Sequence, residues 1–278
     1  MLESISVFIF GLCIGSFLNV CIYRLPKELS IVRPSSFCPK CNTPIKWHDN
    51  IPLLSFIILK GKCRSCKEKI SFRYFAIEIL TACVFLFSYL QLGFSLILLK
   101  YVILFSLCIL VSFIDIDYRA IPGFLCILGI ILALLISTVE SLIMFGQGNF
   151  LDSSFSNIPM VESIRGLFLC IGLSYFLKLM GDFGLWIYLS LRKKDSIEGE
   201  KEALGLGDVD FLGMVGAFLG WKLGFLTFFL APLISLVYGI YIIAFKKSHL
   251  IAYLPFLSLA TFIASFWGFK IIKLFFPF

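Results

Sequence analysis

Gly205-Leu206-Gly207-Asp208 stands directly ahead of a long apolar run, and Phe113-Ile114-Asp115-Ile116-Asp117 closes another. The chain that carries them is 60% hydrophobic and only 15% charged over 278 residues. A soluble domain carries about 25% charged residues, so this composition points to a chain built for lipid. A carboxylate at the edge of a bilayer is costly to hold and marks a functional site by default. Two of them at the ends of different apolar runs point to paired acid/base chemistry.

A spanning helix needs roughly 20 apolar residues, and the sequence has room for about eight. The expected fold is an all-α polytopic membrane protein with spans near 4–23, 75–92, 96–114, 122–138, 163–191, 206–219, 223–245 and 250–275. Residues 115–119 are expected to be cytoplasmic and 139–162 a polar external loop. The organisation follows: a first transmembrane helix over 1–23, a cytoplasmic loop over 24–74, and a transmembrane domain over 75–278. Met1-Leu2-Glu3 lacks the basic n-region of a cleaved signal peptide, so the first span is expected to be retained.

Charge sets the orientation. Residues 24–73 hold 11 of the 24 Lys and Arg, against three acids, Glu28, Asp49 and Glu68. The positive-inside rule places this loop in the cytoplasm and both termini outside. The net charge of +7 is concentrated there, which suits anionic membrane lipids rather than nucleic acid.

Within that loop, Cys38-Pro39-Lys40-Cys41 and Cys63-Arg64-Ser65-Cys66 form C-x2-C-x21-C-x2-C. Each C-x-x-C can offer two thiolates to one ion, and two complete a tetrahedral zinc site. A reducing cytoplasm disfavours structural disulfides; labile redox pairs are the alternative. A small four-Cys zinc ribbon between the first two spans is therefore expected, with a structural role. The other six cysteines, Cys13, Cys21, Cys83, Cys108, Cys126 and Cys170, read as apolar filler.

Each acid motif holds a second Asp two residues on, Asp117 and Asp210. Positions i and i+2 on a helix face different sides, so one member of each pair should meet a partner. Asp115 is nearer its apolar run, and Gly205 and Gly207 flank Asp208 and allow close approach and unusual dihedrals. Gly213, Gly216 and Gly220 give the sixth span a small-residue surface suited to tight packing, a route for bringing Asp208 against Asp115. Two carboxylates sharing a site titrate as a unit, with one proton between them. The ionised member can take a proton from water while the protonated one polarises a peptide carbonyl. Helix-end anchoring is the alternative for an isolated Asp.

These features together resemble bacterial type IV prepilin peptidases, the bifunctional leader peptidases and N-methyltransferases. The resemblance covers most of the chain. It rests on Gly15-Ser16-Phe17-Leu18-Asn19-Val20 with Tyr23-Arg24-Leu25-Pro26. It continues through the segment from Cys38 to Trp47, Asn50-Ile51-Pro52-Leu53-Leu54-Ser55, Gly61-Lys62-Cys63, Arg73-Tyr74 and Glu78, and ends on the two aspartate motifs. It implies that Asp115 and Asp208 are catalytic, with Gly205, Gly207 and Asp117 supporting. It implies prepilin and pseudopilin substrates of type IV pilus and type II secretion systems, cut at the cytoplasmic face of the inner membrane. The new N-terminus would then be methylated from S-adenosylmethionine, with 24–74 as the candidate methyltransferase region and Gly61 and Glu78 as candidate residues. Gly61 reads equally as a turn before a knuckle, and Glu78 as a substrate-amine ligand or the partner of a loop Arg. Two positions depart from the family pattern: Ile121-Pro122-Gly123 lacks an Asp often found there, and Leu254-Pro255-Phe256 stands where Gly-Pro is common.

Asn19 is expected to make an interhelical hydrogen bond, and Lys178 and Asp182, four apart, to pair. A peptidase without methyl transfer, and a proton- or cation-coupled transporter using the two acids, are the competing functions. Transporters often carry inverted repeats, and none is visible.

Overall fold

A computed structural model describes residues 2–147, 158–192, 204–246 and 252–275. Nine α-helices are found among them: α1 (Leu2–Arg24), α2 (Leu54–Ile58), α3 (Phe72–Leu92), α4 (Leu96–Tyr118), α5 (Gly123–Gly146), α6 (Pro159–Arg192), α7 (Leu206–Leu219), α8 (Trp221–Lys246) and α9 (Leu254–Phe275). Seven of these are long and apolar enough to cross a membrane. The remaining expected span, 206–219, is α7, whose 14 residues reach about 21 Å at 1.5 Å per residue. That falls short of a hydrocarbon core about 30 Å thick.

Helix ends differ from the sequence expectation in two informative places. α4 continues past the expected end near residue 114 to Tyr118, so Asp115 is helical and buried. α5 runs on to Gly146 and α6 starts at Pro159, which removes both flanks of the expected 139–162 loop; residues 148–157 lie outside the described residues. Pro122 caps α5 rather than opening its first turn.

The chain divides into two compact units, residues 1–118 and 119–278. In the first, α1 packs on α3 and both pack on α4. The α1–α3 pair is antiparallel and unusually close. A Cβ added at Gly11 would lie 2.6 Å from the Ala82 Cα, and one at Gly15 would lie 2.7 Å from the Glu78 Cα. One turn further, Asn19 Nδ2 donates to the Tyr74 carbonyl at 3.0 Å, the interhelical bond expected of it. Positions 11, 15 and 19 thus form one stripe that meets 82, 78 and 74. In lipid, where apolar attraction between helices is lost, such small-residue approach is what holds helices together.

In the second unit α7 is the central helix, with α5, α6, α8 and α9 around it. Every residue from Phe211 to Phe218 is buried, as a helix apolar on all sides requires.

The α1–α3 register makes a sharp prediction. Gly15→Leu should destabilise the protein by about 2 kcal/mol or more, since the added carbons meet backbone that cannot yield. Gly172→Ala on α6, where an added Cβ meets nothing within 4 Å, should leave the melting temperature in detergent unchanged or raise it. Equal melting of Gly15→Leu and wild type would refute the close crossing.

Candidate functional site

In the first unit the site begins at the end of α4. Asp115 and Asp117 share its last turn, with different surroundings. Asp115 is 8% exposed. Asp117 is at the surface and ion-paired with Arg73 from the first turn of α3. The same guanidinium donates to the Phe113 carbonyl at 3.1 Å and lies over the Phe113 ring. Arg73 therefore ties the end of α4 to the start of α3, and Asp117 is committed to that tie. Arg73 was quoted only as part of a motif; nothing in the spacing announced this role.

In the second unit, Gly205 is the N-cap of α7 and Asp208 sits in its first turn. Gly205 has ordinary extended dihedrals, φ −67° and ψ 145°, so the unusual backbone expected there is not found. The close approach is found at Gly207, where an added Cβ would come within 2.6 Å of the Ile121 side chain. Asp210 faces the start of α5, its Oδ2 3.6 Å from where a Gly123 Cβ would stand. Cys126 and Tyr253 lie within electrostatic reach of Asp208.

The close approach that the glycine surface of α7 allows is made with α6. An added Cβ at Gly166 would lie 2.0 Å from the Gly216 carbonyl oxygen, one at Gly213 would lie 2.5 Å from Ile171, and one at Gly220 would lie 2.7 Å from Glu162. Ser163 Oγ donates to the Ala217 carbonyl at 2.6 Å. The contacts 163 to 217, 166 to 216 and 171 to 213 step along two antiparallel helices. The last step is Lys178, a buried lysine. Its ammonium pairs with Asp182 at 3.0 Å, as the i,i+4 spacing suggested, and also donates to the Leu204 carbonyl at 2.9 Å. The residue before the Gly205–Asp208 motif is thereby fastened to α6. A buried cation is held only where pairing and hydrogen bonds compensate it, and here that requirement fixes the entry to α7.

The loop of the first unit builds a thiol cluster. The four sulfurs of Cys38, Cys41, Cys63 and Cys66 lie within 4.8 Å of one another, and Cys38 and Cys66 are 3.9 Å apart. Four sulfurs each about 2.3 Å from a central Zn2+ would stand at nearly this separation, whereas a disulfide needs about 2.05 Å. The donor set could therefore hold a metal ion.

Both knuckles repeat one local structure. Cys38 N–H donates to the Thr43 carbonyl and Asn42 N–H to the Cys38 carbonyl; Cys63 N–H donates to Glu68 and Lys67 N–H to Cys63 in the same way. The equivalent Asn42 and Lys67 both have positive φ, and a bridge closes each turn, Phe37 with Pro44 and Lys62 with Lys69. Hydrogen bonds from the Thr43 hydroxyl and N–H bring the Cys41 thiol down to about 6. Those from the Cys66 and Ser65 N–H groups lower Cys63. The Glu68 N–H acts the same way on Cys66, but desolvation and the other three thiols push it up to about 11. Four thiols this close cannot all ionise without a cation among them. Arg64 in the second knuckle grips Asp49 with two bonds, 2.7 and 2.6 Å, and holds that carboxyl below its usual range.

Gly61 has φ +66° and ends the turn after α2, its N–H on the Phe56 carbonyl at 2.8 Å. Glu78 takes the Leu53 N–H at 2.8 Å, with Ser16 as a second partner, so it fastens the loop to the α1–α3 crossing. Leu53 itself has φ 64° and ψ −53°, with Leu54 N–H on the Pro52 carbonyl at 2.6 Å. That is the rare, strained γ-turn, and the Glu78 bond helps hold it.

Two family descriptions match the chain: the bacterial peptidase A24 N-terminal domain over residues 9–92, and the type IV leader peptidase family over residues 102–240. Three similar proteins are named prepilin leader peptidase/N-methyltransferase. That of Klebsiella pneumoniae is 34% identical, over 78% of this chain and 85% of its own. That of Myxococcus xanthus is 33% identical, over 82% of this chain and 60% of its own. That of Neisseria gonorrhoeae is 31% identical, over 87% and 82%. No solved structure matches.

The thiol cluster is directly testable. Cobalt(II) added to purified metal-free protein should give, at one equivalent, the intense thiolate-to-metal absorption of a tetrahedral four-sulfur site. Cys38→Ser or Cys63→Ser should weaken binding and shift that spectrum. A wild-type chain without the absorption would refute the metal-site reading.

Proposed function

The chain belongs to the type IV leader peptidase family, and we propose that it cleaves the leader peptide of type IV prepilins and pseudopilins with an Asp115–Asp208 dyad. What carries this reading is the setting of the two carboxylates. Asp115 is buried beside an Asp117 already committed to Arg73, and Asp208 follows directly on a segment fastened by Lys178. Gly205 and Gly207 support Asp208, Gly207 by close approach to Ile121.

The helix ends suggest how the roles divide. Asp208 lies in the first turn of α7, where free N–H groups favour negative charge. Asp115 lies in the last turn of α4, where carbonyls oppose it. On this reading Asp208 takes a proton from the attacking water, and Asp115 donates a hydrogen bond to the scissile carbonyl. The tetrahedral intermediate then collapses as the leaving nitrogen is protonated, and the dyad is left with one proton, as it began.

The loop over 24–74 is proposed to hold structural Zn2+ on Cys38, Cys41, Cys63 and Cys66 and to carry the N-methyltransferase activity. S-adenosylmethionine would supply the methyl group. Gly61 and Glu78 would act there by shape, one turning the chain and the other tying Leu53 to α3. The proposed setting is the bacterial inner membrane, with the loop cytoplasmic and both termini outside, so the dyad meets the substrate at the cytoplasmic face.

Mass spectrometry of a prepilin incubated with membranes containing the protein and S-adenosylmethionine should show leader loss plus one methyl group. Asp115→Asn and Asp208→Asn should each reduce cleavage to a residual trace, while Asp117→Asn should stay well above it. Normal cleavage by either dyad variant would remove that residue from the mechanism. A product with no leader and no methyl would leave the peptidase alone.

Lys178→Met should lower kcat about tenfold or more with little change in KM, because a misplaced catalytic group loses transition-state contacts. Lys178→Arg should recover part of the loss. A Lys178→Met enzyme with normal kcat would show that the Leu204 tie does not position Asp208.

A further inference from the structure

α2 is too short to be stable alone; isolated helices under about 12 residues are marginal in water. Its aromatic side is held against α3. The Phe56 ring packs on Phe75 at 5.1 Å and on Phe72 at 6.3 Å, and these two rings lie 5.2 Å apart. Phe72 and Phe75 belong to the first turn of α3, a helix long and apolar enough to cross the membrane. The aromatic cluster thus fixes α2 at the level where α3 enters the bilayer.

The other side of α2 is aliphatic and open. Leu54, Ile57 and Ile58 are spaced i, i+3, i+4 and so share one helix face. They are 53%, 57% and 70% exposed, and Phe72 beside them is 65% exposed. In a water-filled loop, three large aliphatics and a phenylalanine left open together would be an aggregation hazard. The residues that follow carry Lys60, Lys62, Lys67 and Lys69, all exposed, against Glu68 alone. An apolar face beside a row of lysines is the arrangement that binds the surface of an anionic bilayer. Lysine stems can lie along the apolar boundary while their ammonium groups reach phosphate.

We propose that α2 is an interfacial helix: Leu54, Ile57, Ile58 and Phe72 enter the headgroup–acyl boundary, and the lysines of 60–69 bind anionic lipid headgroups. The occupant is lipid, because the face is continuous with the membrane entry of α3 and the flanking charge is complementary to acidic phospholipid. Through Gly61 and the knuckle that follows it, this anchors the thiol cluster at the membrane surface. The Glu78–Leu53 bond holds the near end of α2 to the same helix.

The test needs no enzymatic activity. The Ile58→Trp protein is placed in nanodiscs of phosphatidylcholine and phosphatidylglycerol, with and without bromine atoms near the top of the acyl chains. The emission added over wild type is read. For a side chain ~5–10 Å into the boundary, bromine should remove about half of that emission, and acrylamide in the water should quench it weakly. Replacing Lys60, Lys62, Lys67 and Lys69 with Gln should reduce the bromine effect. Ile57→Trp gives a second reading should position 58 tolerate the ring poorly. Emission quenched by acrylamide and not by bromine would overturn the proposal. Emission shielded from both would also overturn it, since protein, either substrate or a second copy, would then cover the face. An unchanged bromine effect in the Gln variant would overturn the headgroup contacts.

Discussion

Two close antiparallel helix crossings, α1 on α3 and α6 on α7, are the constraint on which the rest of the structure depends. Both use the same device. Small residues let backbones approach to distances that a side chain would forbid, at Gly11 and Gly15 in one crossing and at Gly166, Gly213 and Gly216 in the other. Both also carry a polar tie beyond the glycines, Asn19 to the Tyr74 carbonyl and Lys178 to the Leu204 carbonyl. In lipid neither tie can be exchanged freely for water, so each fixes the register of its crossing.

The residues proposed to act lie where these crossings end. Lys178 is the last step of the α6–α7 ladder, and Asp208 follows four residues after the carbonyl it holds. Glu78 is itself a step of the α1–α3 ladder and reaches out to Leu53 in the loop. Arg73, one residue from the Tyr74 tie, bonds the end of α4 near Asp115. Rigid helices thereby deliver particular side chains to particular helix ends, which is what a reaction governed by the placement of two acids requires.

Much of this was legible in the sequence because the signals were local. Apolar run length gave the spans, C-x-x-C spacing gave the thiol cluster, and i,i+4 spacing gave Lys178 with Asp182. What escaped depended on partners far along the chain. The glycines of α7 announced a close crossing without saying with which helix, and α6 makes it. The apolar run ends near Ile114, yet α4 continues to Tyr118, so Asp115 is a buried helical residue. Gly205 suggested special backbone, but it is an ordinary N-cap, and the demand for glycine falls on Gly207 instead. The equivalence of the two knuckles lies in hydrogen bonds and positive φ values at Asn42 and Lys67; their sequences share little beyond the cysteines.

The central claim is that Asp115 and Asp208 act as one unit. Residual cleavage of a prepilin by Asp115→Asn, Asp208→Asn and the double variant, compared with a no-enzyme control, tests it most directly. Groups that share one proton and one reaction step show non-additive losses. The account predicts that the double variant is no slower than the slower single variant. Losses that multiply would assign the two acids to independent roles and contradict the dyad.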